Sequence, residues 1–102
     1  MAARFEILVS EGVRKDMKAL RACDRQMILE AIETQLVHAP MMATKQRKPL
    51  RNLAPPFDAI PPIWQLRVGP FRVFYDVQEA GRRVYVRAIR HKPAHQQTEE
   101  IL

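Results

Sequence analysis

Cysteine and glycine are scarce in this 102-residue chain, which contains one Cys and three Gly. A lone Cys23 cannot form an internal disulfide, so the fold does not depend on an oxidising compartment. The three glycines, Gly12, Gly69 and Gly81, are too far apart to form a glycine-rich phosphate loop. No apolar run approaches the ~20 residues of a membrane helix, and Glu6 interrupts the only stretch that resembles a signal peptide. These absences predict a cytoplasmic protein with no membrane partner.

The common catalytic and metal-binding motifs are also absent. The chain contains neither HExxH nor GxSxG, and it has no second cysteine for a zinc site. We therefore expect neither a metal nor a cofactor. Cys23 lies between two predicted helices, where a free cysteine is typically a small buried hydrophobic residue.

The charge is concentrated in the middle of the chain. With 47% hydrophobic and 27% charged residues, the composition predicts one globular domain over residues 1–102. The net charge is +6, yet residues 1–40 are neutral and residues 73–102 contribute only +1. Residues 41–72 carry the other +5, from one acidic residue, Asp58, and six basic ones: Lys45, Arg47, Lys48, Arg51, Arg67 and Arg72. The partner is therefore expected to be an anion, either nucleic acid or an acidic protein.

Hydrophobic periodicity in the first 38 residues predicts a strand followed by a helical hairpin. Alternation over residues 4–9 indicates the strand, and Ser10 is the expected N-cap of a helix over about 11–21. Asp24 is the expected N-cap of a second helix that extends to about His38, and Pro40 follows its end. The connection lies around Cys23.

Proline separates this hairpin from the rest of the chain. Five of the eight prolines fall between residues 49 and 62, which predicts a loop with little regular structure over 39–62. Three strands are then expected, with a type II′ turn at Gly69-Pro70, over residues 63–68, 71–77 and 83–90. A short segment after Pro93 is compatible with a helix. The predicted fold is α+β in the order β-α-α-β-β-β, with the hairpin packed on one face of a twisted antiparallel sheet.

The predicted register separates apolar from basic side chains. It places Arg72 opposite Arg67 on one neighbouring strand and opposite Arg87 on the other, and it places Asp76 opposite Arg83. The helices are expected to cover the apolar face, formed by Trp64, Leu66, Val68, Phe71, Val73, Tyr75, Val77, Val84, Val86 and Ala88. The other face then carries three arginines without an acidic neighbour, flanked by Gln65, Phe74 and Tyr85.

An arginine row of this kind is suited to phosphate, because the guanidinium fork binds phosphate oxygens bidentately and stays charged. A solvated sheet face is the alternative. Phe74 and Tyr85 either stack single-stranded bases or form an apolar patch that a partner protein covers. The basic run that contains Lys45, Arg47 and Lys48 is a second candidate for nucleic-acid contact, or it is a solvated loop.

The segment over residues 62–92 resembles the central signature of the RelE/ParE superfamily of bacterial type II toxins. The sequence WQLRVGPFRVFYDVQEAGRRVYVRAIRHK has an aromatic residue, a Leu-Arg strand, a tight turn, an Arg-Val-aromatic-Tyr strand and a strand that ends in Ile-X-His-Lys. The strand and hairpin over 4–38 match the family in order and length. The resemblance implies a RelE-like fold with a concave basic surface opposite the helices.

The resemblance also implies a toxin that an antitoxin neutralises. RelE-like members are ribosome-dependent endoribonucleases that cut mRNA without metal, by attack of a 2′-hydroxyl on the neighbouring phosphate, whereas ParE-like members inhibit DNA gyrase. We expect an mRNA endoribonuclease that inhibits translation. A gyrase inhibitor and a non-toxic antitoxin-binding module are the alternatives. An acidic antitoxin segment is expected to cover Phe74, Tyr85 and the arginine row.

Three basic residues match positions of the RelE/ParE signature. The resemblance assigns Arg72 to the scissile phosphate, matches Arg67 to the arginine before the turn, and matches Lys92 to a second phosphate-stabilising residue. Where the RelE strand before the turn has two lysines, this chain has Ile63 and Gln65.

A proton-transfer group is still needed. Residues 93–102 contain no counterpart of the catalytic tyrosine of RelE. Arginine stays protonated and makes a poor general base. His91 and His95 are therefore the candidates from the sequence, because the ordinary pKa of histidine suits proton transfer near neutral pH.

Overall fold

Two helices follow the first strand, and four further strands and a short helix complete an α+β architecture, in a computed structural model that describes residues 4–51, 54–93 and 95–102. In chain order the elements are β1 (Glu6–Val9), α1 (Glu11–Ala19), α2 (Ala22–Leu36), β2 (Arg47–Leu50), β3 (Ile63–Val68), β4 (Phe71–Gln78), β5 (Arg83–His91) and α3 (Thr98–Ile101). The strands form one sheet in the order β1-β5-β4-β3-β2. Among the described residues, no helix is long and apolar enough to cross a membrane. The predicted α+β class and RelE-like arrangement are confirmed.

The sheet is mixed, whereas the prediction was an antiparallel sheet. β1 pairs in parallel with β5, and the other three pairings are antiparallel. Alternation along residues 4–9 predicts a strand but carries no information about which neighbour it pairs with. The helical hairpin separates β1 from the other strands in the chain, so this pairing joins residues that are distant in sequence.

The segment predicted to be a loop contains the edge strand β2, so the prediction of little regular structure was wrong there. β2 pairs antiparallel with β3, and Pro49 lies within it opposite Trp64. A proline has no N–H to donate, but an edge strand tolerates it because one side of the strand needs no partner. Proline content alone therefore gave the wrong prediction for these four residues.

One predicted helix cap is confirmed and one is wrong. Ser10 caps α1 by accepting a hydrogen bond of 3.2 Å from the Val13 N–H. The N-cap of α2 is Arg21, not Asp24, and Asp24 lies inside the first turn, where it accepts a hydrogen bond of 3.2 Å from Arg21 Nε. Because α2 begins at Ala22, Cys23 belongs to its first turn and is exposed, contrary to the expectation of burial.

The predicted register between β3 and β4 is confirmed. Arg67 lies opposite Arg72, and Gln65 lies opposite Phe74. The connection at Gly69-Pro70 also has the positive φ that the predicted turn requires, +55° at Gly69, a conformation that glycine adopts without steric cost.

The predicted register between β4 and β5 was wrong. Gln78 lies opposite Arg83, which shifts the pairing by two residues, and a β-bulge beside Phe74 adds a third. Arg72 consequently lies opposite Arg90 rather than Arg87. A bulge inserts one unpaired residue into a strand, so alternation alone does not reveal it.

The helices cover one sheet face, and a second apolar cluster covers the middle of the other. In this second cluster, Ile63, Phe74 and Ala88 of the sheet are packed under the proline-rich segment and the C-terminal residues: Leu50, Phe57, Ala59, Ile101 and Leu102. The side chain of Phe74 is fully buried. This chain's own C-terminus covers Phe74, and the direct antitoxin contact expected for Phe74 stays a prediction.

Candidate functional site

A basic pocket of about 220 Å³ occupies the turn end of the sheet face opposite α1 and α2. Its lining residues are Lys45, Gln46, Lys48, Gln65, Arg67, Arg72, Lys92, Gln97 and Thr98. Five of these carry a positive charge, and none of the lining residues is acidic. We refer to these nine residues as the basic pocket. Such a cation cluster is suited to an anion with several oxygen acceptors.

Strand pairing brings most of these side chains together. Arg67 on β3 lies opposite Arg72 on β4, and Lys48 on β2 lies opposite Gln65 on β3. Because residues two apart share a face of a strand, Gln65 and Arg67 point the same way. The Gln46 carbonyl accepts a hydrogen bond of 2.7 Å from the Arg67 N–H, which extends the pairing to the pocket wall.

Arg72 is the best-anchored cation of the basic pocket. It is 8% exposed, and its Nη1 donates hydrogen bonds to the carbonyls of Gly69 at 2.9 Å and Phe71 at 2.8 Å. Burial, with a smaller contribution from the charge of Arg67, lowers the pKa of Arg72. An arginine in this situation stays protonated at neutral pH. The turn carbonyls thus hold a permanent charge at the pocket.

The C-terminal segment forms the remaining wall. The Lys92 N–H donates to the Pro70 carbonyl at 2.7 Å, which carries the chain past the end of β5 toward the pocket. Thr98 Oγ1 then donates to Gln65 Oε1 at 2.8 Å and joins α3 to the sheet. Sequence reasoning missed Gln46, Gln97 and Thr98, because no local pattern indicates that the C-terminus returns to β3.

Arg47, which was predicted to bind phosphate, lies outside the basic pocket. It is 8% exposed, and its Nη1 donates to the carbonyl of Gln35 in the last turn of α2. Neighbouring residues of a strand point to opposite faces, so Lys48 reaches the pocket while Arg47 faces the helices. Arg47 therefore does not line the basic pocket, and the phosphate-binding role expected for it stays a prediction.

Arg87 also lies outside the basic pocket and has an acidic neighbour, contrary to prediction. Its Nε and Nη2 lie 2.8 and 3.3 Å from the two carboxylate oxygens of Asp76, which is fully buried and also accepts from the Ile60 N–H at 2.8 Å. The guanidinium lies 4.7 Å from the ring centroid of the half-buried Tyr85. Asp76 therefore pairs with Arg87, not with Arg83.

The two histidines predicted to transfer protons do not line the basic pocket. His91 lies opposite Phe71, and their rings are in edge contact at 5.7 Å between centroids. Phe71 packs in the apolar cluster between the two helices and the sheet, so this contact is on the helix side of the sheet. His95 is exposed in the turn before α3. The pocket therefore contains no imidazole, and its amines are those of Lys45, Lys48 and Lys92.

The nine lining residues of the basic pocket include no histidine, cysteine or carboxylate. Across residues 4–51, 54–93 and 95–102, no group of three or more His, Cys, Asp or Glu side chains is arranged to hold a metal ion. The side-chain groups that line the basic pocket are ammonium and guanidinium cations, carboxamides and one hydroxyl.

Comparisons with known proteins agree with this architecture. A chain from the crystal structure of the toxin–antitoxin complex RelBE2 of Mycobacterium tuberculosis superposes with a TM-score of 0.70 at 20% identity, over 88% of this chain and 100% of that one. A chain of the archaeal RelE–RelB complex of Pyrococcus horikoshii OT3 gives 0.68 at 19% identity, over 92% and 99%. No curated protein sequence matches significantly. The model of the ParE toxin of the type II toxin–antitoxin system parDE matches residues 7–93. The chain therefore belongs to this toxin family, within the RelE/ParE superfamily.

Proposed function

We propose that this toxin inhibits translation by cutting mRNA on the ribosome, with the basic pocket as its phosphate site. The observation that carries the proposal is the pocket itself, which gathers five cations and has no acidic lining residue. RNA presents one phosphate charge per nucleotide, and Lys and Arg are the side chains that neutralise it.

The proposed reaction needs no external reagent. The 2′-hydroxyl gives its proton to a base as the 2′-oxygen forms a bond to the adjacent phosphorus. The bond from phosphorus to the 5′-oxygen breaks, and an acid donates a proton to this leaving oxygen. Arg72 and Arg67 are proposed to stabilise the charge that develops on the phosphate oxygens, because preorganised donors act most strongly there.

Lysines are proposed to move the two protons. Lys48 lies opposite Gln65, so the edge strand supplies an amine beside the β3 position where RelE has lysine. Lys92, the residue that follows β5, lines the pocket as well. His91 and His95, which lie outside the pocket, are not needed in this scheme.

A ribosome cleavage assay tests the proposal. Purified toxin is added to ribosomes that translate a defined mRNA, and new 5′ ends are mapped. Wild type is expected to cut, and Arg72→Ala to cut about a hundredfold to a thousandfold more slowly, as when one donor to a transition-state oxyanion is removed. Arg83→Ala is the matched control, since Arg83 makes only a loose contact, 3.8 Å from Glu6 at the far end of the sheet. Intact mRNA with wild type, or equal cutting by wild type and Arg72→Ala, would contradict the proposal.

Gyrase inhibition is the second candidate, because the family model that matches is that of ParE toxins. Purified gyrase distinguishes the two functions. Loss of supercoiling or accumulation of cleaved DNA complexes, together with intact mRNA in the ribosome assay, would favour the gyrase inhibitor.

We further propose that a cognate antitoxin covers the basic pocket with an acidic segment. The supporting observation is the charge of the pocket, since Phe74 lies beneath the C-terminus and is inaccessible. In a complex with the product of an adjacent acidic reading frame, Lys48→Glu is expected to weaken binding. Lys15→Glu on α1 serves as the control. Hydrogen-exchange protection confined to α1 and α2 would contradict this.

A further inference from the structure

Gln65 differs from the cations around it in the basic pocket. It is neutral and 5% exposed, and it lies in the middle of the sheet between Lys48 on β2 and Phe74 on β4. Long cationic side chains can move with solvent, whereas a buried amide keeps the orientation that its neighbours impose. Its donor and acceptor atoms therefore have defined directions.

Thr98 determines which way this amide faces. Its hydroxyl donates to Gln65 Oε1 at 2.8 Å, and Thr98 is itself 9% exposed. A carboxamide accepts at oxygen and donates at nitrogen, so engagement of Oε1 leaves the NH₂ group as the free side. Gln65 lines the basic pocket, so its NH₂ group is the part of the amide that can donate to a ligand there.

The position of Thr98 is fixed independently of the cations. Ile101 and Leu102, which follow it, pack against the second apolar cluster around Phe74. Gln97 and Glu100 close a capping box at the start of the same helix. The hydroxyl is therefore held over β3 by apolar packing, and it is present before any ligand arrives.

We propose that Gln65 is a neutral hydrogen-bond donor to the bound phosphate, and that Thr98 is the positioning residue that turns the Gln65 amide toward it. This inference rests on the proposed phosphate-binding function of the basic pocket. A bound anion stabilises the same amide orientation, because its oxygens accept from the NH₂ group. The directed Gln65 amide thereby fixes the orientation of the phosphate, while the surrounding lysines and arginines attract its negative charge.

Binding of a 2′-O-methyl RNA oligonucleotide, measured over a range of salt concentrations, tests the inference without cleavage. Gln65→Met removes the donor and no charge, so affinity is expected to fall about tenfold with an unchanged salt slope. Thr98→Val is expected to weaken binding by a similar factor, and Thr98→Ser to restore it. Lys92→Ala is expected to reduce the slope of log K against log salt by about 0.7. Thr34→Val, at an exposed threonine of α2, is the matched control and should bind as wild type does.

The outcomes separate this inference from the proposed function. Wild-type affinity in both Gln65→Met and Thr98→Val, with a reduced slope in Lys92→Ala, would overturn the role of the amide and leave phosphate binding intact. Absence of salt-dependent RNA binding by wild type would instead overturn the proposed function. If Thr98→Val loosens α3, as thermal unfolding would reveal, Gln65→Met alone decides, because it leaves the Thr98 hydroxyl in place. A changed salt slope in Gln65→Met would also contradict a neutral donor.

Discussion

Two arginines on the same sheet face have different surroundings and therefore different roles. Arg87 is matched by the buried carboxylate of Asp76, whereas Arg72 is held by neutral carbonyls and keeps an uncompensated charge. An ion pair between a buried carboxylate and a guanidinium neutralises both groups locally. Only Arg72 thus remains suited to an external anion, although both residues contribute equally to the net charge.

Asp76→Asn is expected to lower the free energy of unfolding by about 2–3 kcal/mol, because Arg87 loses its counter-charge in a partly buried place. Urea denaturation measures this. Asp16→Asn is the control, since Asp16 pairs with Arg90 at 3.6 Å on the exposed surface, where such a change costs about 1 kcal/mol or less. Equal effects of the two substitutions would contradict the assigned role of Asp76.

Tyr75 makes stability depend on alkaline pH. Burial raises the pKa of Tyr75 well above its ordinary value, although the charge of Arg47 partly opposes this. Above about pH 10 the unfolded chain releases the phenolic proton while the folded protein retains it, so stability is expected to fall as pH rises. Tyr75→Phe should be about 1 kcal/mol less stable at neutral pH, because the hydroxyl bonds the Pro40 carbonyl, and should show a shallower alkaline decline.

Urea denaturation between about pH 8 and 11 measures this decline, because this range includes the ordinary tyrosine pKa of about 10. Wild type measured over the same pH range is the reference. An equally steep decline in Tyr75→Phe would contradict the assignment.

At the scale of elements, two adjacent residues of β2 place their side chains on opposite faces of the sheet. Arg47 reaches the end of α2, and Lys48 reaches the basic pocket. The strand therefore joins the helical layer to the binding face, although it is only four residues long. Its place at the sheet edge leaves Lys48 exposed to an incoming ligand.

Arg47→Ala is expected to affect stability, whereas Lys48→Ala is expected to affect RNA binding. Arg47→Ala should lower the free energy of unfolding by about 1–3 kcal/mol, since the Gln35 carbonyl loses a charged donor. Lys48→Ala should leave stability within about 0.5 kcal/mol and weaken RNA binding. Chemical denaturation and RNA titration of both variants check this pair. Loss of stability in Lys48→Ala or undiminished stability in Arg47→Ala would be inconsistent with the geometry.

At the scale of the whole molecule, the face opposite α1 and α2 is divided into three regions. The basic pocket lies at the turn end, the apolar cluster covered by the C-terminus lies in the middle, and the Asp76–Arg87 pair lies beyond it. The free charge is thereby gathered at one end. The protein presents a localised cationic site, and the rest of this face is used for stability.

RNA binding is expected to depend steeply on salt. If all five pocket cations engage phosphates, the slope of log K against log salt is about −3.5, so affinity falls about a hundredfold between 50 and 200 mM salt. Titration of a 2′-O-methyl oligonucleotide at several salt concentrations measures the slope. A slope near zero would contradict phosphate binding by the pocket.

Much of this architecture could be predicted from local patterns. The Ser10 cap, the β3–β4 register across Gly69-Pro70 and the pairing of Arg67 with Arg72 depend on residues close together in the chain. The bulge that displaces Arg87 could not be predicted, because alternation along one strand does not reveal a residue that lacks a partner in the next strand. The edge strand was missed for a similar reason, since only its position beside β3 makes a proline acceptable there.

The amino-acid sequence by itself determined the α+β class, the family and the concentration of positive charge in the middle of the chain, because these depend on composition, periodicity and motif. Tertiary structure decided which cations are free. Strand pairing and helix packing neutralise Arg87 and bury Arg47, while the returning C-terminus places Thr98 beside Gln65. A charge becomes a binding group only where the fold leaves it uncompensated, and compensation comes from residues distant in the chain.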